Sequence, residues 1–192
     1  MLVESMGTAV LVGKIRGGKL NHLLDITIQR WCLFIIASLI EFAASWVKMK
    51  EIDPLYQWVD RYTFWIHGFV YILLFITILS NIRSRGFLLI CIGVFLNFVV
   101  IAANGGKMPV AIPAVEGNLY QQTIEMLKAG KDFTHTLMEE PTRFKFLGDI
   151  IHIPKPYPMP KSLSIGDIFM MVGVFLFIQS KMLGSIEKNT SE

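Results

Sequence analysis

The sequence predicts an all-α, multi-pass membrane protein: a helical bundle of about five spans, the first of them short, with a long loop segment before the last. Hydrophobic residues make up 53% of the chain and charged residues 17%, against roughly 25% charged in a typical soluble domain. Several apolar runs approach the roughly 20 residues that a membrane span requires. The four tryptophans, Trp31, Trp46, Trp58 and Trp65, fall at or near the ends of these runs, where an aromatic belt forms at the membrane interface.

The central runs have the clearest span character. Three of them are 17 residues long and carry at most one Asp, Glu, Lys, Arg or His each: Trp31–Val47, Phe64–Ser80 and Phe87–Ala103. The second is expected to belong to a longer helix that starts with Asp53 as N-cap and Pro54 in its first turn. That helix would continue unbroken to Ser80.

The two terminal runs are shorter. Residues 1–13 contain Glu4 and would form a helix about 20 Å long, so they are expected to be a marginal first span or a buried half-helix. They lack the basic start of a signal peptide. Ile168–Ser180 has 13 uncharged residues and reaches spanning length if Ser164–Gly166 extend it and the Lys181 side chain reaches back to the interface.

Basic residues predict the orientation. The connections 14–30 and 81–86 carry an excess of Lys and Arg, whereas the basic residues of 48–63 are matched by acidic ones. The positive-inside rule therefore places 14–30, 81–86 and the C-terminus in the cytoplasm of a cell-membrane protein, with 48–63 and 104–163 outside. The net charge of +3 follows from this asymmetry and does not indicate nucleic-acid binding.

Residues 104–163, which we call the lid segment, form a long polar stretch between two spans. About sixty residues are too many for a turn and too few for an ordinary independent domain. We therefore expect them to pack as an outer lid within a single integral membrane domain, residues 1–192. The expected local structures are an extended stretch, two short helices and a proline strap, at 107–114, 118–129, 133–140 and 154–160.

Three polar side chains interrupt the central runs in their outer halves. Glu41 and Asn97 each lie six residues before the outer end of their run, or about 9 Å along a helix. His67 lies three residues, or about 4–5 Å, below the outer start of its run. An ionisable group within a span is a candidate functional site because its exposure to lipid is costly. The alternative is that Glu41 bonds His67 or Asn97 across helices and stabilises the bundle.

Further residues are expected around this candidate polar chamber. Asn104 and Asp167 bracket the lid segment and are expected at the rim, with a turn and N-cap as the alternative role for Asp167. His135, Asp149 and His152 are the candidates within the lid segment. Carboxylates and imidazoles can bind a metal or exchange protons. Their spacing here matches no recognised ligand pattern, so neither a metal nor a cofactor is expected.

The Gly105-Gly106-Lys107 corner is a candidate contact for an anion or a lipid headgroup. Exposed N–H groups of consecutive glycines can form an anion-binding nest, and the lysine beside them would add a positive charge. The alternative is a flexible outer corner with a snorkelling lysine.

Several short motifs punctuate the chain: Arg16-Gly17-Gly18-Lys19-Leu20, Trp31, Asn97 seven residues before Asn104-Gly105-Gly106-Lys107-Met108-Pro109-Val110, Leu147-Gly148-Asp149, and Ser164-Ile165-Gly166-Asp167-Ile168. Together they resemble an uncharacterised bacterial family of integral membrane proteins, the domain-of-unknown-function family numbered 5317, over about residues 9–182. The resemblance implies an N-terminal span, four further spans and an outer segment before the last. It implies no activity, ligand or catalytic residue. This chain has Glu41 where that family is expected to have glutamine.

Three functions remain open from the sequence. The first is a non-enzymatic membrane protein that holds a small amphiphile, a lipid headgroup or a partner helix under its lid. The second is an intramembrane enzyme that transfers protons through Glu41, His67 and Asp167. The third is a transporter, which 192 residues could supply only as an oligomer. The expected partners are the lipid bilayer and a membrane protein or second copy, without nucleic acid.

Overall fold

The computed structural model describes residues 2–112, 124–153, 157 and 161–184, and most of these are helical. Residues 124–128 are also helical, and short 3-10 helices occur at Leu20–Leu23 and Lys145–Leu147. The main helices are α1 (Leu2–Ile15), α2 (Trp31–Lys50), α3 (Leu55–Arg61), α4 (Thr63–Ser80), α5 (Phe87–Ala103) and α6 (Ile165–Leu183). Within the described ranges, three helices are long and apolar enough to cross a membrane, namely α2, α4 and α6, and α5 is a shorter apolar helix.

The helices pack side by side in the order α1, α6, α5, α4 and α2. Hydrogen bonds from Ser5 Oγ to the Met171 carbonyl and from Gln179 Nε2 to the Ala9 carbonyl tie α1 to α6. At the opposite edge, the Asn81 side chain after α4 bonds the backbone of Gln29 just before α2. The lid segment lies at the end of the molecule where α2 and α5 finish and α4 and α6 begin; we call this the lid end.

Glycines allow α5 and α6 to pack in close contact. A Cβ at Gly166 would lie 2.6 Å from the Gly93 carbonyl oxygen, and one at Gly93 would lie 2.4 Å from the Gly166 carbonyl oxygen. Gly86 and Gly173 approach each other in the same way farther from the lid end. Small residues are needed at these positions because the two backbones themselves are in contact.

The lid segment contains two small sheets, so the expectation of an all-α fold was incomplete. The strands β1 (Met108–Val110) and β2 (His135–Leu137) pair in parallel, and β3 (Ile151–Ile153) and β4 (Lys161–Leu163) pair antiparallel. The short helix predicted at 133–140 was wrong. Those residues instead extend to bond β1, a non-local pairing that overrides the local helical pattern.

One other local prediction needs correction, and two lie partly outside the described residues. The unbroken helix predicted from Asp53 to Ser80 is divided into α3 and α4, and the break lies at Tyr62. The peptide bond between Asp53 and Pro54, just before α3, is cis. The proline strap predicted at 154–160 lies outside the described residues except for residue 157, and the chain after it forms β4, which leads directly into α6. Of the short helix predicted at 118–129, residues 118–123 lie outside the described part.

Candidate functional site

Four titratable side chains gather at the lid end of α2 and α4: Glu41, His67, His135 and Asp149. We call them the polar cluster. Glu41 Oε1 lies 3.8 Å from His67 Nε2, and His67 Nδ1 lies 3.2 Å from the Thr63 carbonyl oxygen. Because a carbonyl can only accept, Nδ1 carries the proton of that bond. In the neutral ring, the Nε2 lone pair therefore faces Glu41.

A chain of hydrogen bonds fixes the His135 ring. The Asp132 carboxylate accepts from the backbone N–H groups of Thr134 and His135, each at 2.8 Å. The Thr134 hydroxyl donates to the same carboxylate oxygen at 3.0 Å and lies 2.7 Å from His135 Nδ1. Since that hydroxyl already donates to Asp132, it accepts from Nδ1–H. The other ring nitrogen, Nε2, points toward Asp149 Oδ2 at 3.7 Å.

Asp149 is the group with unused bonding capacity in the polar cluster. Its Oδ1 atom is buried and has no hydrogen-bond partner among the described residues. The side chains of Asp149 and His67 are only 8% and 3% exposed, whereas those of His135 and Glu41 are 40% and 39% exposed. The cluster therefore has a buried floor and an accessible rim. A buried acceptor without a donor is costly, and an incoming donor would remove that cost.

Burial and neighbouring charge shift the pKa values of the two acids beside His135, Asp132 and Asp149, in opposite directions. Burial raises the pKa of Asp149 to about 7, although the charge of His135 opposes the shift. Burial acts in the same direction on Asp132, but the hydrogen bonds and charge of His135 outweigh it and hold the pKa of Asp132 well below its usual range. Burial alone would lower the pKa of His135, but the Asp132 carboxylate, 3.4 Å from its Nδ1, raises it. Burial thus favours the neutral form of Asp149, while the acids around His135 favour the charged form of its imidazole.

The lid segment is held against the helices by Phe133 and Lys107. Phe133 is 1% exposed, stacks on the His67 ring at 4.3 Å between centroids, and packs with Ala44 and Val59. Lys107 Nζ donates to the Asp132 carbonyl at 2.7 Å. The two contacts place Asp132 and His135 directly above α2 and α4.

Asn97 and Asp167 form a separate, closed network between α5 and α6. Asn97 Nδ2 donates to Asp167 Oδ1 at 3.1 Å, and Asn97 Oδ1 accepts from Ser164 Oγ at 2.9 Å. Ser164 and Asp167 bond each other's backbone N–H as a capping box. Ser164 is thus the N-cap and Asp167 the third helical residue, which corrects the N-cap role considered for Asp167. Asn97 is turned toward α6, so the polar chamber expected from the sequence is divided between two networks.

The corner that opens the lid segment is engaged within the chain. The Asn104 side chain bonds the backbone N–H and carbonyl of Arg143, each at 2.9 Å. The N–H groups of Gly106 and Lys107 donate to backbone carbonyls, so they are not available to an anion in this conformation. Gly105 has open space around its Cα. The corner thus serves to fasten the lid segment.

His152 lies apart from the polar cluster. It faces Ser162 across the β3–β4 pair, with Nδ1 2.8 Å from Ser162 Oγ, and burial lowers its pKa. In the described ranges, no three His, Cys, Asp or Glu side chains are grouped so that they could hold a metal ion.

Sequence reasoning missed Asp132, Phe133, Thr134 and Tyr71. The string Gly130-Lys131-Asp132-Phe133-Thr134-His135 carries a usable signal, because an Asp two residues before a Thr just after a helix stop is typical of a side-chain-bonded turn. Tyr71 is 9% exposed and lies close enough to Glu41, Asp149 and Asp167 to interact with their charges. An aromatic residue within an apolar run gives no such signal in the sequence.

Comparison with known proteins gives a family but no activity. The family of unknown function DUF5317 matches residues 25–179. An uncharacterized protein from Thermotoga maritima is 33% identical over 111 residues, which cover 58% of this chain and 61% of that protein. The chain thus spans less than two thirds of the curated relative it matches. No solved structure matches.

Proposed function

The chain belongs to the DUF5317 family, whose function is unknown, and we propose that it is a membrane protein that binds a hydrogen-bond-donating polar group in the polar cluster. The observation that carries the proposal is the buried, unpartnered Oδ1 of Asp149. A ligand ammonium or hydroxyl group that donates to this atom would gain a hydrogen bond to a charged acceptor, which contributes about 1.5–3 kcal/mol.

The other members of the polar cluster suit the same ligand class. Glu41 offers a second carboxyl group at the accessible rim, and the Nε2 atom of His67 faces it as an acceptor. The neighbouring acids raise the pKa of His135, and its charged form can donate to a phosphate or carbonyl oxygen of the same ligand. An amphiphile with an amine and a phosphate, held under the lid segment, fits this arrangement of charges.

We further propose that α1, α2, α4, α5 and α6 form a five-span bundle with the lid segment outside the cell membrane and the C-terminus in the cytoplasm. The support is the Lys and Arg excess in 14–30 and 81–86. On a background without Cys32 and Cys91, single cysteines at Gln57 and Glu125 should react with an impermeant thiol reagent in intact cells, and one at Ser84 should not. Labelling at Ser84 alone would reverse the orientation.

Dioleoyl phosphatidylethanolamine is a suitable probe for the binding proposal because its ammonium carries N–H donors. Native mass spectrometry of the delipidated protein with this lipid should show a one-to-one adduct for the wild type. Asp149→Asn should weaken the adduct about 10-fold or more, because the charged acceptor is lost.

Asp25→Asn is the matched control for that variant. Asp25 is an exposed acid in the connection before α2 and should bind the lipid as the wild type does. Equal adducts for Asp149→Asn and the wild type would rule out Asp149 as the acceptor and would contradict the proposal.

A second function, acid–base catalysis, is favoured by one observation. The sequence of contacts from Asp132 through Thr134 and His135 to Asp149 orients an imidazole between two carboxylates, which is how a general base is commonly positioned. Incubation of the wild type with the same lipid, followed by analysis of the lipid products, distinguishes acid–base catalysis from binding alone. Turnover that is lost in His135→Gln would indicate an enzyme, and an unchanged lipid would indicate binding alone.

A further inference from the structure

An apolar groove runs along the outer faces of α2, α3 and α4, separate from the polar cluster. It has a volume of about 540 Å³, within the roughly 300–1,000 Å³ range of small-molecule sites. Its lining is apolar or aromatic: Ala43 and Val47 of α2, Trp58 of α3, and Trp65 and Phe69 of α4 are among its residues. The buried Lys48 pairs with Asp60 and fixes α3 across the end of the groove.

Phe133 links the polar cluster to the apolar residues that line the groove. One face of its ring stacks on His67, which belongs to the cluster. Its other contacts, Ala44 and Val59, also line the groove. One buried aromatic ring thus packs both on a residue of the polar cluster and in the apolar cluster whose residues line the groove.

The position of the groove matches the outer half of a bilayer. Its α2 lining extends from Ile40 to Val47, or about 10 Å along the helix, against about 15 Å for half of a roughly 30 Å hydrocarbon core. Trp58 and Trp65 lie at its lid end, where interfacial tryptophans are expected. Arg61 is exposed at the same level, with its guanidinium carbon 5.8 Å from the centroid of the Tyr62 ring, so it can face a lipid phosphate.

We propose that the ligand of the polar cluster is a phospholipid of the outer leaflet, with one acyl chain in this groove and its amine-bearing headgroup directed past Phe133 toward Asp149. The inference rests on the proposed function and adds the chemical class of the ligand and its route. The chain fills the apolar concavity, the ammonium supplies the donor that Asp149 lacks, and Phe133 must turn aside for the two parts to occupy their sites together.

The test uses the full-length protein and dioleoyl phosphatidylethanolamine in native mass spectrometry. Ala43→Phe places a ring in the groove at an exposed position, and Phe69→Ala removes part of the groove wall; each should weaken the adduct about 10-fold. Ser38→Phe is the control, because Ser38 is exposed on the same helix but outside the groove. It should bind as the wild type does.

The outcomes separate this inference from the proposed function. Loss of the adduct in Ala43→Phe, Phe69→Ala and Asp149→Asn, with retention in Ser38→Phe, supports both. Wild-type adducts in both groove variants, with loss in Asp149→Asn, overturn the acyl-chain site and leave the polar-cluster proposal standing. Loss in the groove variants with retention in Asp149→Asn overturns the headgroup assignment and, with it, the proposed function.

Discussion

Asp149→Asn should raise the Tm of the ligand-free protein by about 5–10 °C at pH 8 and by about a third as much at pH 5. Burial raises the pKa of Asp149 to about 7, whereas an unfolded chain gives an aspartate a value near 3.9. A raised carboxyl pKa means that the folded state favours the proton. The protonated Asp149 carboxyl therefore contributes fully to stability below about pH 4, and this contribution is lost as the pH rises through 7. Asparagine has no charge to bury, so it avoids that loss.

Asp132→Asn is the matched comparison because Asp132 also contacts His135. Its pKa is held below the usual range, so its carboxylate stabilises the fold at neutral pH and loses that effect only in strong acid. Asp132→Asn should therefore lower the Tm at both pH values. Thermal unfolding in detergent, followed by tryptophan fluorescence, measures both variants. A lower Tm for Asp149→Asn at pH 8 would show that the His135–Asp149 pair stabilises the fold, contrary to a site built for a ligand.

Gly166→Ala should have the largest effect on folding, with a loss of about 3–5 kcal/mol or failure to accumulate folded protein. Its new Cβ would lie 2.0 Å from Asn97 Oδ1 and 2.6 Å from the Gly93 carbonyl oxygen, so α6 must move away from α5. Overpacking costs about 1–3 kcal/mol, and each hydrogen bond lost between Asn97, Ser164 and Asp167 adds about 1 kcal/mol.

Gly68→Ala is the control for that substitution. Gly68 lies within α4, and a Cβ there would meet nothing within 4 Å. Because alanine favours a helix over glycine by about 1 kcal/mol, this variant should be neutral or slightly more stable. Equal stability of Gly166→Ala and Gly68→Ala in detergent unfolding would contradict the close α5–α6 contact.

The lengths of the hydrophobic runs predicted where the helices lie along the chain, but not which side of each helix faces its neighbours. The starts of α2 and α5 coincide with the predicted Trp31 and Phe87, since apolar runs and helix breakers are local properties. The same runs are apolar all round, so periodicity could not show which way Asn97 pointed. Depth along the helix correctly grouped Glu41 and His67, which lie 3.8 Å apart. Depth along the helix could not show that the Asn97 side chain forms its hydrogen bonds with Ser164 and Asp167 instead.

The lid segment was harder to predict because its structure depends on non-local pairing. Residues 133–140 have a local pattern that allows a helix, but β2 forms because Met108 and its neighbours offer a parallel partner. That pairing carries Asp132 and Thr134 to the helices and orients His135. The sequence therefore predicted His135 and Asp149 as candidates, while their shared position with Glu41 and His67 required the structure.

The most direct measurement of the central claim compares two lipids on the wild-type protein. Phosphatidylethanolamine and phosphatidylcholine with identical oleoyl chains differ in that only the first has N–H donors on its headgroup. If Asp149 Oδ1 accepts a bond from the headgroup, phosphatidylethanolamine should bind about 10-fold more tightly in a competition followed by native mass spectrometry. Equal binding of the two lipids would contradict the claim that the polar cluster recognises a hydrogen-bond donor.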